Sequence, residues 1–349
     1  MRLLIAFVLV AGTIHAAEPP VFVVTQRLPL TSVEWPLDVR WTGGDSIAIA
    51  AGRAGVVQFE LRGPLSHPKP LMGGDRTRTG SFYSQLAFTP THLLAASPLG
   101  MVAWKRTRQT GTADGGMSVA MSLDVDAAGD SFVILGADRD AKNRWSPDGA
   151  IAWLGSLGPK PAALQPVLYS HVAEKGGTKA ASIANCGLFG NGGVRFLEDG
   201  SFVVVPGVEP GAYLYDHRGK LVHTWQTSGL GFLDSCRLSM DQVRLYQRDV
   251  AAREEFLRRQ PMLDDVVALG RNPGLLIRSY ARGVVRWEIV ELRRGSPPVT
   301  HRVEFESTSR VTHMKADLRG KRAVFLVYDA VDVGDPNRGQ PSILLASRR

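Results

Sequence analysis

Cysteine is scarce in this chain: Cys186 and Cys236 are the only two in 349 residues. At most one disulfide can form, so the fold rests on its apolar core, and about 330 mature residues can bury a large one. Long apolar runs are scarce as well. The stretch from Leu3 to Gly12 falls far short of the ~20 residues that cross a bilayer as a helix. No later segment reaches that length, so the mature chain is expected to be soluble. Gly-x-Ser-x-Gly, phosphate-loop and His-Glu-x-x-His patterns are absent, which removes the usual sequence signs of those hydrolases, nucleotide-binding proteins and metalloproteases. Charge of one sign is not concentrated either. The formal net charge of +8 is a modest excess for this size, and acids interleave the basic stretches. That pattern describes solvated faces rather than a nucleic-acid footprint.

The N-terminus combines Arg2, the short apolar stretch and the small residues Ala16-Ala17. These are the parts of a secretory signal peptide, with cleavage expected after residue 16 or 17. The expected organisation is a signal peptide over 1–16 and one domain over 17–349, in a secreted or periplasmic protein. In an oxidising space Cys186 and Cys236 are expected to bridge.

A repeated pattern is present. Five times a glycine is followed by two apolar or small residues, a variable one and an aromatic. The copies are Gly55 to Phe59, Gly100 to Trp104, Gly149 to Trp153, Gly211 to Tyr215 and Gly283 to Trp287. Each follows an apolar run, such as Phe202 to Val205, that itself follows a tight-turn signal such as Glu198-Asp199-Gly200. Nearly continuous apolar runs suit strands covered on both faces. Units of this kind cannot hide both faces alone and must pack on one another, which is the logic of a β-propeller. The fold expected is all-β, a propeller of six blades, with seven as the alternative if 232–260 hides a further unit. The last unit, ending in Ser342 to Ala346, is one strand short, and Val21 to Val24 has no partner of its own. Lending strand 21–24 to the last unit closes the ring. One departure stands out: a helical insertion near 241–260, with Asp241 as N-cap and Pro261 as stop.

The hairpin Tyr213 to Trp225 resembles that of secreted propellers of the arylsulfotransferase-like group. The turn Asp124 to Asp130 resembles that of six-bladed NHL-like propellers. Both resemblances imply a fold and carry no catalytic residue across.

Loops entering the first strands of such units meet at the mouth of a central channel. They present Asn185, Cys186, His171, Asp234, Arg237, Asp264, Asp265 and His313. The candidate catalytic residues are Asp264, Asp265, His313 and Asp234, acids and a base suited to proton transfer. Strand alternation predicts that only one of the adjacent pair Asp264-Asp265 reaches the channel. Asp329, Asp332 and Asp335 are the candidate metal ligands, in one loop. No cofactor is expected, a divalent cation being the alternative. The function expected is a binding or scaffold protein that presents one face to a protein, peptide or glycan. The alternative is a metal-assisted hydrolase or lyase with its site at the channel mouth. Neither nucleic acid nor a membrane span is expected.

Overall fold

The computed structural model describes residues 19–349 apart from 63–64, 66, 74–82, 98–100, 107–108, 115–118, 129–130, 138–149, 158–163, 170–191, 208–210, 229, 231–238, 250, 253–254, 257–260, 309–311 and 330–339. Cys186, Cys236, Asp234, Asp332, Asp335, His171, Asn185 and Arg237 lie outside the described residues.

The described chain is all-β with short helical pieces, arranged as a β-propeller. After β1 (Val21–Pro29), four antiparallel sheets of four strands follow one another in sequence. The first contains β2 (Asp38–Gly43), β3 (Ser46–Ala50), β4 (Val56–Glu60) and β5 (Lys69–Met72). The second contains β6 (Gln85–Phe88), β7 (His92–Ala96), β8 (Met101–Arg106) and β9 (Gln109–Asp114). The third contains β10 (Val119–Val125), β11 (Ser131–Ala137), β12 (Ala150–Ser156) and β13 (Gln165–Tyr169). The fourth contains β14 (Gly193–Phe196), β15 (Phe202–Val205), β16 (Ala212–Tyr215) and β17 (Leu221–Trp225).

The remaining strands are β18 (Met262–Leu269), β19 (Asn272–Ala281), β20 (Val284–Glu291), β21 (Val299–Ser307), β22 (Thr312–Arg319), β23 (Arg322–Asp329) and β24 (Ser342–Arg348). With β1 they form one eight-stranded sheet in the order β18-β19-β20-β21-β1-β24-β23-β22. Its two halves are antiparallel and meet along a short parallel contact, Val21 opposite Arg302 and Phe22 opposite Val303. β1 pairs antiparallel with β24 from Phe22–Arg348 to Pro29–Ser342, so the N-terminal strand completes the last unit.

The second strands are largely apolar because neighbouring sheets cover both of their faces. Phe202 to Val205 are all buried, as are Ile47 to Ala50. The described apolar residues group into six clusters, each between two consecutive sheets or half-sheets. One joins β3 to β7 through Ala48, Ala50, Leu86 and Leu93, and another joins the last strands to the first through Leu326, Ile343, Ile47 and Phe59. The repeated glycine has a conformational task. Gly55, Gly211 and Gly283 hold φ of 88°, 141° and 84°, backbone that a side chain disfavours, and each turns the chain into a third strand. The aromatic that closes the copy is buried at Phe59, Trp153, Tyr215 and Trp287.

Two local details differ from the sequence expectation. The fifth hairpin turns at Gly270-Arg271, and Asn272, Pro273 and Gly274 already belong to β19. Gly274 is needed for space: a Cβ there would lie 2.8–2.9 Å from Ile289, Leu269 and Val267. The helix in the insertion, α1 (Met240–Arg248), is capped by Ser239 and not by Asp241. Ser239 forms a capping box with Gln242, in which its Oγ accepts from Gln242 N and Gln242 Oε1 accepts from Ser239 N. Asp241 sits in the first turn, where its charge suits the helix dipole.

Candidate functional site: the central charge network

The first strands of the units, β2, β6, β10, β14, β18 and β22, follow one another in a closed order, each packed on the next and β22 on β2. Their inward residues could have been apolar. Many are ionisable: Asp38, Arg40, Asp124, Arg195, Asp265 and Lys315 are buried, and Asp317 is mostly so.

Each carboxylate has two roles. The first is to accept a backbone N–H from the first strand of the next sheet. Asp38 Oδ2 accepts from Leu86 N at 2.8 Å, Asp124 Oδ2 from Phe196 N at 2.7 Å, Asp265 Oδ2 from Ala316 N at 3.0 Å, and Asp317 Oδ2 from Trp41 N at 2.8 Å. First strands of adjacent sheets are too far apart to pair as a ladder, so their facing amides need acceptors from side chains. Ser122 serves the same purpose, its Oγ accepting from Val194 N at 3.1 Å. Between β14 and β18 the polarity reverses, and Arg195 Nε donates to Val266 O at 2.9 Å. A Cβ on Gly193 would meet Val266 there at 2.5–2.8 Å, so the approach requires glycine.

The second role is to neutralise buried cations. Arg40 lies 2.7 Å from Asp38. Arg195 lies within 3.6–3.9 Å of Asp317, Asp124 and Asp265, and Lys315 is 3.8 Å from Asp265. Burial pushes the Asp38, Asp124 and Asp317 carboxyls up, with Arg40 or Arg195 beside them pulling the other way. Burial also opposes the charge on Arg40, but Asp38, Asp317, Asp265 and Asp124 outweigh it and raise its pKa.

Asp264, Asp265 and His313 come together at one end of this network. A β-bulge interrupts the register between Leu263 and Asp265, at the acid pair. Both acids are therefore buried, but they serve different partners. Asp265 faces Arg195, Lys315 and Ala316 N. Asp264 Oδ2 accepts from Trp287 Nε1 at 2.8 Å and Met314 N at 3.1 Å, while its Oδ1 lies 3.4 Å from both Arg278 Nε and His313 Nδ1. Burial alone would raise the Asp264 carboxyl, yet Arg278, His313 and Trp287 together hold it below the usual range. Its Oδ2 is engaged by two donors, while among the described residues its buried Oδ1 has only the ionic contacts with Arg278 and His313. His313 is pushed down by burial and Arg278 against the pull of Asp264, and its ring stacks on Tyr328 at 5.8 Å. Burial, with Asp264, Asp38 and Asp265 nearby, raises the Tyr328 phenol. Asp329 is also buried and accepts from Thr312 Oγ1 at 2.7 Å.

A divalent cation fits this donor set poorly. The carboxylates of Asp38, Asp124, Asp264, Asp265 and Asp317 already face Arg40, Arg195, Arg278 or Lys315, whereas a hard cation wants several oxygens of its own. Among the described residues no group of three or more His, Cys, Asp or Glu could hold a metal ion.

Sequence reasoning missed Asp38, Arg40, Asp124, Arg195, Arg278, Lys315 and Asp317. The signal was present: charged residues at i, i+2 inside otherwise apolar first strands, as in Asp38-Val39-Arg40 and Lys315-Ala316-Asp317.

No family model matches the chain, and no curated protein does. Among solved structures, a member of the duf4221 family from Bacteroides vulgatus is similar, with a TM-score of 0.55 at 8% identity over 95% of this chain and 98% of that one. The WD40 β-propeller domain of Doa1 aligns with a TM-score of 0.46 at 9% identity, over 93% of this chain and 97% of that one. At 8% identity the likeness to the duf4221 protein is one of fold.

Proposed function

We propose that the mature chain is a secreted or periplasmic six-bladed β-propeller that acts as a binding scaffold and presents one face to a protein, peptide or glycan. Six clusters between consecutive units and six first strands in closed order support the count, with the eight-stranded sheet read as two blades joined by β1. The signal-peptide pattern over 1–16 supports the location.

The observation that carries the functional reading is the state of the channel. Asp38, Asp124, Asp265 and Asp317 each bind a neighbouring amide and face a buried cation, which supports reading the centre as a clamp and leaving recognition to the faces. The face on which the first strands begin is the better candidate. It receives the long connections, including that with α1, while the other carries mostly short hairpins such as Gly270-Arg271.

Site-specific photo-crosslinking in cells that export the chain tests this. Probes at Arg53, Arg282 and Thr308 lie on the face where first strands begin; probes at Asp199, Arg271 and Lys321 lie on the opposite one. Adducts confined to the first set are expected. Adducts from neither set, or equally from both, would overturn the assignment.

A further inference from the structure

The outermost strand of a blade leaves one edge of backbone N–H and C=O groups open, and proteins usually guard such edges with charge or proline. Most outer strands here follow that rule. β5 carries Lys69 and Pro70, β9 Asp114, β13 Pro166, β21 Arg302, Glu304 and Glu306, and β1 Arg27 and Pro29. β17 does not: its sequence is Leu-Val-His-Thr-Trp. Among the described residues it pairs only with β16. Two adjacent side chains on it, Leu221 and Val222, are 49% and 52% exposed, two of the four large apolar residues so exposed among those described. His223 and Trp225 meet edge-to-face at 4.5 Å, and Trp225 Nε1 donates to Arg293 O, which fixes the far end of the strand.

Both ends of this open edge are basic. Exposed Arg218 and Lys220 precede it, and exposed Arg293, which also donates to Glu291, and Arg294, which has Asp199 nearby, lie beside its end. Asp216 in the same turn is occupied, accepting from the backbone of Arg218 and Lys220.

We propose that the edge of β17 is a strand-addition site for an extended peptide of a partner protein, apolar in its middle and acidic at both ends. The open ladder selects an extended backbone, and Leu221, Val222 and the His223–Trp225 pair select apolar side chains. The charges select against a second copy of this chain. Two β17 edges paired antiparallel would set Arg218 and Lys220 of one molecule against Arg293 and Arg294 of the other, and like charges at such short range repel. This site is on the rim and is independent of the face assigned above.

The test uses the full mature chain and a fluorescein-labelled peptide, Glu-Glu-Val-Thr-Val-Tyr-Val-Thr-Glu-Glu. The control peptide has proline at alternate central positions. Fluorescence anisotropy is expected to give saturable binding for the first and none for the control. Val222→Lys, which installs the missing guard at an exposed position, is expected to weaken binding about tenfold or more. Lys220→Glu is expected to weaken it and to reduce its dependence on salt. Amide exchange at 221–225 is expected to slow when the peptide is bound. Equal binding of the proline peptide, indifference to Val222→Lys, or no saturable binding would overturn the proposal. So would a dimer in sedimentation that Val222→Lys dissolves. None of these results bears on crosslinks from the channel-entry face.

Discussion

Replacing Asp38 by alanine removes three bonds at once: Oδ1 accepts from Val39 N and from Arg40 Nη1, and Oδ2 accepts from Leu86 N across the sheet boundary. The guanidinium of Arg40 is then left 4% exposed with Val39 O as its remaining short-range acceptor. Stranding one member of a buried ion pair typically costs about 3–5 kcal/mol, far more than the intact pair contributes, because the remaining charge keeps its desolvation penalty. We therefore expect Asp38→Ala to lower unfolding stability by about 3–5 kcal/mol. Asp38→Asn retains an amide oxygen as one acceptor and is expected to cost less. Adding Arg40→Met to Asp38→Ala removes the stranded charge and fills its volume with apolar atoms, so the double variant is expected to be more stable than the single one. Urea unfolding followed by tryptophan fluorescence measures all four proteins, with the slope checked for constancy. A cost for Asp38→Ala under about 1 kcal/mol, the size of a surface ion pair, would refute the reasoning. So would a double variant no more stable than the single one.

Three further outcomes are expected. Glu291 accepts from Asn272, Arg293 and His301, and although burial opposes ionisation these partners hold its carboxyl down to about 2. A carboxyl lower in the folded chain than in the unfolded one stabilises above its ordinary 4.5 and loses that contribution as pH falls toward 2. The stability gap between wild type and Glu291→Gln, on the order of 2 kcal/mol near neutrality, is thus expected to narrow by about pH 3; a gap independent of pH counts against the assignment. Gly274→Ala forces a methyl against Ile289, Leu269 and Val267 and is expected to cost about 1–3 kcal/mol in denaturant unfolding; a neutral effect would show that the strands there can part freely. Removing β1 exposes Phe325 and Leu344 and leaves β24 paired on one side only, with β23, so a chain beginning at Leu30 is expected to unfold well below the full-length protein in a thermal scan; equal midpoints would mean that β1 is dispensable.

Much of the scaffold was legible in the residues because burial on both faces writes itself as continuous apolar strings, as at Phe202 to Val205. The turn glycines were legible for a similarly local reason, since Gly55, Gly211 and Gly283 hold backbone that other residues avoid. The central network was not. A charge in an apolar strand reads as solvent-facing, and only the ring places Asp124 and Arg195, which are 71 residues apart, within 3.8 Å. For the Asp264-Asp265 pair the residues gave no sign of the bulge between Leu263 and Asp265, or of the different partners that the two acids meet. The helix cap misled by two residues, since Asp241 and Ser239 are both good caps and only the bonds to Gln242 choose between them. The parallel contact of Val21 with Arg302 leaves no mark in the sequence.

Hydrogen exchange resolved to single amides tests whether the carboxylates clamp the blades together. The amides of Trp41, Leu86, Phe196 and Ala316 each donate to an aspartate of the preceding unit. They are expected to exchange as slowly as amides inside the strand ladders, and Asp→Ala at 317, 38, 124 or 265 is expected to speed the amide at its own junction above those elsewhere. Exchange at these four positions as fast as in exposed turns, or unchanged when the facing carboxylate is removed, would contradict a channel built as a clamp.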